Sequence, residues 1–366
     1  MAAKVARRLI NAGLAMSVAV PNATLLRADP VRDAEWFLDY LKIDKAHSIS
    51  MGAGVTVAIT DTGIDPHEDF IHNIIPGIDL ITGDIGQEKV DIDGHGTGMA
   101  GLIAAHGHGS GAGIIGIAPQ SHLLPIKVAE ASSLPSQLAA GIKFAATSGA
   151  QVINVSTGTS PSKELIDSIG LATKEDAVVV ASSGNDFNAS QIAYPAAIPG
   201  VLAVGAVDQN GNVASFSKSG QNLGICAPGT DIVTTGLNQK YSKTDGTSAS
   251  TAIVSGAAAL VRARFPGISA RETIHRLTAT ATDIGPPGRD EQCGFGVLNI
   301  VKALTADVPP LDGEVSSGAT GASSAAEPGD AGPGLKNGIL GGIAAVLAGG
   351  VLVGFLVVRR RGRKPV

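Results

Sequence analysis

The chain has 366 residues, 44% of them hydrophobic but only 3% aromatic, and a net charge of -5. This length and apolar content allow a sizeable core built mainly from Val, Ile, Leu and Ala. An acidic balance with no basic run before the extreme C-terminus argues against nucleic acid as a partner.

In chain order, Lys4, Arg7 and Arg8 precede a modest apolar stretch from Leu9 to Val20, interrupted by Asn11. Ser17 and Ala19, or Ala23, offer small residues for cleavage, so residues 1–28 are expected to be a secretory signal peptide. Residues 29–306 read as one folded domain. Apolar, strand-like runs (Val55 to Thr60, His122 to Val128, Gln151 to Val155, Ala177 to Ser182, Val201 to Val207) alternate with helical stretches at Leu134 to Thr147, Ser162 to Glu175 and Ser248 to Arg264. That alternation predicts an α/β fold, a doubly wound parallel sheet with helices on both faces.

Residues 307–336 form a linker rich in Gly, Pro, Ser and Ala; from Pro309 to Gly334 it should behave as a flexible tether with a reach of about 30 Å. Residues 337–358 are expected to form a transmembrane helix. From 338 to 358 no side chain is charged or polar, and at about 1.5 Å per residue the stretch spans about 31 Å, the thickness of a bilayer core. Residues 359–366 carry Arg359-Arg-Arg361 and Arg363-Lys364, which would stay cytoplasmic and leave the folded domain outside.

Three segments of the domain carry chemistry: Asp61-Thr-Gly, His95-Gly-Thr and Gly246-Thr-Ser248. A serine hydroxyl is a poor nucleophile at neutral pH and needs an imidazole to take its proton and return it to the leaving group. A buried carboxylate holds that imidazole in the right tautomer. Asp61 ends an apolar run at the place where parallel sheets put their sites. His95 opens a helix whose glycines allow close packing. A fourth segment, Ser183-Gly184-Asn185, supplies an amide where an oxyanion needs a donor. Taken singly, Asp61 and Asn185 are equally turn residues, Ser248 an N-cap and His95 a satisfied core histidine. Their joint occurrence, in this order, favours the catalytic reading.

The flanks of these segments resemble the subtilisin-like serine proteases. Val55-Thr-Val-Ala-Ile-Thr-Asp61-Thr-Gly-Ile-Asp65 resembles the aspartate motif, Asp93-Gly-His95-Gly-Thr-Gly-Met-Ala-Gly101 the histidine motif, Ala181-Ser-Ser-Gly-Asn185 the oxyanion segment, and Gly246-Thr-Ser248-Ala-Ser-Thr-Ala-Ile-Val-Ser-Gly256 the serine motif with its helix. The likeness runs from about residue 30 to 305. It implies Asp61, His95 and Ser248 as catalytic residues and Asn185 as oxyanion donor. It further implies that an extended protein or peptide substrate pairs with Val155-Ser156-Thr157-Gly158, and that Ala181, Ser182, Ser183, Gly184 and Ala193 line the first specificity pocket. None of these is charged, so a neutral, small to medium apolar residue before the scissile bond is expected. No cofactor is implied. Asp65, His67 and Asp93 are read as turn and surface residues.

Two departures stand out. The family's proline after the serine motif is replaced here, where the chain reads Thr251-Ala252. In place of a calcium loop after the histidine helix stands His106-Gly-His-Gly-Ser-Gly-Ala-Gly113, with too few hard oxygen ligands for calcium and, with two histidines alone, too few for another metal. It is read as a solvated glycine-rich loop, and no metal is expected. Cys226 and Cys293 are the only cysteines, and either a disulfide or two buried thiols would suit them.

The stretch between the signal and Asp29 to Trp36 leaves no room for the pro-domain of most secreted subtilisins. Signal, protease domain, tether and membrane helix together resemble the mycosins, membrane-anchored proteases of actinobacterial type VII secretion systems. That resemblance implies a membrane secretion complex as partner. The competing reading makes the domain mainly a structural component of such a complex.

Overall fold

The computed structural model describes residues 29–311 apart from 84–85, 110, 131–132 and 186–190; the expected signal, most of the linker, the apolar stretch at 337–358 and the basic tail lie outside the described residues. Among the described residues no helix is long and apolar enough to cross a membrane.

The eleven described strands are β1 (Thr56–Asp61), β2 (Ile78–Asp79), β3 (His106–His108), β4 (Ala112–Ile115), β5 (His122–Lys127), β6 (Val152–Val155), β7 (Val178–Ser182), β8 (Leu202–Val207), β9 (Leu223–Pro228), β10 (Ile232–Thr235) and β11 (Tyr241–Thr244). The α-helices are α1 (Pro30–Asp33), α2 (Trp36–Leu41), α3 (Ile43–His47), α4 (His95–Ala104), α5 (Pro135–Thr147), α6 (Lys163–Lys174), α7 (Thr247–Arg264), α8 (Ala270–Ala279) and α9 (Ile300–Thr305). Seven strands form one sheet in the order β2-β5-β1-β6-β7-β8-β9, every pair parallel. This is the expected α/β sheet.

Parallel strands are buried on both faces, so alternate residues of one strand enter different cores. Val57 and Ile59 of β1 join α4 and α7 in one apolar cluster, while Ala58 joins α5 and α6 in the other. The same alternation separates Val178 and Val180 from Val179 and Ala181 in β7. Helix α7 is buried along most of its length because its small residues let it cross the sheet closely. The predicted strands and helices differ from the observed ones by a residue or so at their ends. Ser162 caps α6, its hydroxyl accepting from the Leu165 amide at 3.1 Å, which fixes that helix start.

Two sequence readings require correction. Residues 106–113 are not a solvated loop: β3 and β4 pair as an antiparallel hairpin, and His108 Nδ1 lies 2.5 Å from Oδ1 of the fully buried Asp69. His67 is not at the surface; it is 1% exposed and its Nδ1 accepts from the Asp69 amide at 3.1 Å. The cause in both cases is Asp69. A buried carboxylate must be hydrogen-bonded, and it draws in His108 and the Ile114 amide (2.8 Å to Oδ2). Cys226 and Cys293 form a disulfide, with their Cα atoms 5.3 Å apart, that ties β9 to the segment before α9.

The start of the domain is stitched to the β3–β4 hairpin. Asp29 caps α1 through the Val31 amide and accepts from the Gly113 amide, while Arg32 donates to the Gly113 carbonyl. Glu35 accepts from the Ile115 amide and lies 3.2 Å from Arg32 Nε, yet it is buried, and burial pushes its carboxyl up from 4.5 to about 8. A carboxyl with a raised folded-state value favours the fold below the unfolded value and loses that contribution as pH rises through about 8. In thermal melts, Glu35→Gln should therefore gain stability relative to the natural chain between pH 5 and pH 9. A difference that stays constant over this range would mean that Glu35 is ionised throughout.

Candidate active site

The sheet delivers Asp61 at the C-terminal end of β1, fully buried. Its Oδ1 accepts the Thr62 amide at 2.8 Å and lies 2.7 Å from His95 Nδ1. A carboxylate at that distance requires the proton on Nδ1, which leaves Nε2 of a neutral ring as an acceptor. The Asp61 charge raises the His95 value from 6.5 to about 9, against the opposing effect of burial. No partner hydrogen-bonds Asp61 Oδ2 among the described residues.

His95 is the first residue of α4, and the turn before it is built by Asp91. One oxygen of Asp91 accepts from the Asp93 and Gly94 amides; the other accepts from the Thr97 amide (3.0 Å) and hydroxyl (2.7 Å). Asp93 in turn accepts from the His95 amide at 3.2 Å. The helix then approaches the turn after β1, and strand β10, more closely than any side chain would allow. A Cβ on Gly96 would stand 2.0 Å from the Gly63 carbonyl, and one on Gly101 would stand 2.3 Å from Thr235 Oγ1. These glycines are steric requirements, as expected.

Ser248 is the second residue of α7, so its amide is among the unpaired donors of a helix N-terminus. Its hydroxyl donates to the Ser156 carbonyl at 2.9 Å rather than to His95, and the Ser156 hydroxyl donates back to the Ser248 carbonyl at 3.1 Å. Behind Ser156 lies a buried chain: Asn154 Nδ2 donates to Ser156 Oγ and Ser255 Oγ donates to Asn154 Oδ1, each at 3.0 Å.

Asn185 is exposed and held by Thr247. Its Oδ1 accepts from the Thr247 amide at 2.9 Å and the Thr247 hydroxyl at 2.8 Å, while that hydroxyl accepts from the Gly184 amide at 3.2 Å. With its oxygen thus engaged, the carboxamide presents Nδ2 toward Gly246. An ideal Cβ on Gly246 would lie 3.1 Å from Asn185 Nδ2 and 3.7 Å from the Ser248 nitrogen. Two N–H donors therefore border the small space left by the missing side chain, which suits a developing oxyanion.

The remaining expected site residues divide by burial. Val155 and Ala181 are fully buried neighbours in β6 and β7, and Ser182 and Ser183 are also buried. Access begins beyond them, at Thr157, Gly158, Gly184 and Ala193. Several residues of the site have roles that the motifs do not announce. Thr247 and Ser255 lie within the serine motif, but they and Asn154 act through hydrogen bonds that only the fold reveals. Lys218 lies far along the chain from Gly184, yet its amide donates to the Gly184 carbonyl at 3.1 Å and its side chain packs against that glycine. For Asp91, the spacing Asp91-Ile-Asp93-Gly94 is a usable turn signal. Among the described residues, no group of three or more His, Cys, Asp or Glu side chains is arranged to hold a metal ion.

Residues 52–296 match the Subtilase family. Subtilisin BL from Lederbergia lenta is 40% identical over 254 residues, which cover 68% of this chain and 92% of that protein. Among solved structures, MycP1 with its N-terminal propeptide removed superposes with a TM-score of 0.70 at 33% identity, covering 76% of this chain and 98% of that one. The MycP3 protease from the type VII (ESX-3) secretion system superposes with a TM-score of 0.66 at 30% identity, covering 76% and 91% respectively. With that likeness running through the strands and helix starts that carry Asp61, His95, Asn185 and Ser248, the chain belongs to the subtilase family and is a serine-type endopeptidase of subtilisin-like fold.

Proposed function

We propose that Ser248 is the nucleophile of this endopeptidase, that His95 is its base, that Asp61 orients His95, and that Asn185 Nδ2 and the Ser248 amide hold the oxyanion. The observation that carries this reading is the 2.7 Å contact between His95 Nδ1 and the buried Asp61. For reaction, the Ser248 hydroxyl turns from the Ser156 carbonyl to His95 Nε2. Its oxygen then attacks the peptide carbonyl carbon as Nε2 takes the proton. The tetrahedral oxyanion collapses, breaking the C–N bond, and the imidazolium gives its proton to the departing amine. Water, deprotonated by His95, cleaves the acyl-enzyme by the same sequence.

An extended substrate would pair with Ser156-Thr157-Gly158, and the side chain before the scissile bond would enter the pocket lined by Ser182-Ser183-Gly184, with Ala193 beneath. These segments continue β6 and β7 past the buried Val155 and Ala181. The apolar segment at 337–358 and the basic residues after it support a membrane anchor with the protease domain outside the cell. The MycP1 and MycP3 neighbours, the latter from a type VII (ESX-3) secretion system, support action beside such a system.

The full-length chain should take up one equivalent of a fluorophosphonate, and Ser248→Ala should take up none; label retained in the variant would place the nucleophile elsewhere. Loss of the Asn185 donor by Asn185→Ala should cost about 3 to 4 kcal/mol of transition-state stabilisation, a magnitude known for subtilisin itself and carried over here.

The His95 value predicts an alkaline profile. His95 accepts a proton only when neutral, so kcat/KM should rise with pH through about 9 rather than near 6.5. Removing the carboxylate charge in Asp61→Asn should move that rise down toward 6.5 and lower kcat about 10⁴-fold. A rise near 6.5 in the natural chain, unmoved in the variant, would remove Asp61 from this role.

A further inference from the structure

Two glycines and one alanine define a slot at the end of the substrate path. An ideal Cβ on Gly158 would lie 3.5 Å from Ala193 Cβ, and one on Gly184 would lie 3.4 Å from the same atom. The two bare backbones therefore face a common floor at Ala193. Gly184 has φ +108, a conformation in which a side chain is strained, so backbone geometry as well as the residue type keeps this position free of a side chain of its own.

Lys218 reaches the same floor from a different part of the chain. Its amide donates to the Gly184 carbonyl at 3.1 Å, anchoring the backbone beside the wall. Its Cδ and Cε lie 2.9 and 3.1 Å from the point that a Gly184 Cβ would occupy, the same point that Ala193 Cβ approaches at 3.4 Å. The methylenes thus cover Gly184, and the ammonium, one bond beyond Cε, ends next to the slot. Lys218 is half-buried, and among the described residues its ammonium has neither an ion-pair nor a hydrogen-bond partner. The other lysines whose side chains are engaged, Lys127, Lys163 and Lys243, each face a carboxylate.

We propose that Lys218 is a specificity-determining residue whose ammonium stands at the base of the slot and selects a substrate with an acidic side chain before the scissile bond. This rests on the reading of Ser248 as nucleophile and of residues 156–158 and 182–184 as the substrate walls. An apolar side chain seated in the slot would cover the ammonium without giving it a partner, and a basic one would meet a like charge. A carboxylate supplies the missing counter-charge in a place only partly screened by water. The expectation of a neutral apolar residue was drawn from motif residues close to one another in sequence, whereas Lys218 comes to Gly184 only through the fold.

The test uses the full-length chain and matched peptides that differ only in the residue before the scissile bond: Glu, Gln, Asp, Asn, Leu and Lys. The natural chain should cleave the Glu peptide with a kcat/KM about tenfold above that of the isosteric Gln peptide, the factor given by about 1.4 kcal/mol of charge pairing. The preference should shrink as salt is raised. Lys218→Met should bring Glu and Gln to parity, Lys218→Arg should keep the preference, and Lys218→Glu should turn it toward Lys. Equal rates on Glu and Gln peptides in the natural chain overturn the proposal without any variant, as does a preference that survives in Lys218→Met. A chain that neither reacts with fluorophosphonate nor cleaves any peptide would overturn the Ser248 reading instead; a labelled, active chain indifferent to charge overturns only the role of Lys218.

Discussion

Everything in the candidate active site depends on the closeness of α4 to the end of β1. The 2.7 Å contact between Asp61 and His95 exists because Gly96 can sit where a Cβ would strike the Gly63 carbonyl. The interaction itself is short-ranged and directional, so a shift of an ångström would lose both the tautomer control and the electrostatic support of the imidazole. The approach is held from the other side too. Thr234 and Thr235 of β10 donate their hydroxyls to the Gly98 and Thr97 carbonyls, each at 2.7 Å, so the first turn of α4 is clamped between the sheet and the β10–β11 hairpin. The glycine spacing in the histidine motif is thus a packing requirement before it is anything else.

The order of the parallel strands explains how distant segments meet. β1 lies between β5 and β6, and β6 lies beside β7, so Asp61, Ser156 and Ser182 all emerge at the same edge of the sheet. Helix α7 then runs across β6, β7 and β8 and brings its N-terminus, with Ser248, to that edge. Its small residues permit this burial; a helix of the same length with larger side chains would stand too far from the sheet to share the site.

Much of this was legible in the sequence because it has a local signature. A β-branched apolar run ending in Asp-Thr-Gly, a His followed by small residues at helical spacing, and an apolar helix after Gly-Thr-Ser each report their own surroundings. The parts that were not legible are those fixed by contacts between segments far apart. The burial of His67 is one of these, because the ring that covers it besides neighbouring Phe70 is that of Tyr241, far along the chain. The glycine-rich residues 106–113 read as a loop because glycine weakens strand propensity, yet Gly113 is needed there: a Cβ would stand on the Asp69 carboxylate. Lys218 is invisible for the same reason, since its contact with Gly184 is a property of the fold alone.

Where the family carries a proline after the serine motif, this chain reads Thr251-Ala252. A proline inside a helix removes an amide donor and fixes the backbone there. Thr251 is fully buried in α7, retains its amide, and adds a hydroxyl that donates to the Thr247 carbonyl at 2.7 Å. Thr247 is the residue whose amide and hydroxyl hold Asn185 Oδ1 and thereby turn Nδ2 toward Gly246. The orientation of Asn185 Nδ2 is thus tied, through one turn of α7, to the Thr251 hydroxyl. On the opposite side, Ser255 and Asn154 secure Ser156, which exchanges hydrogen bonds with Ser248. In this chain the start of α7 is positioned by a network of buried hydroxyls and two carboxamides, those of Asn154 and Asn185. Because each member is satisfied by the next, the network holds the serine's backbone in place and leaves its side chain able to turn.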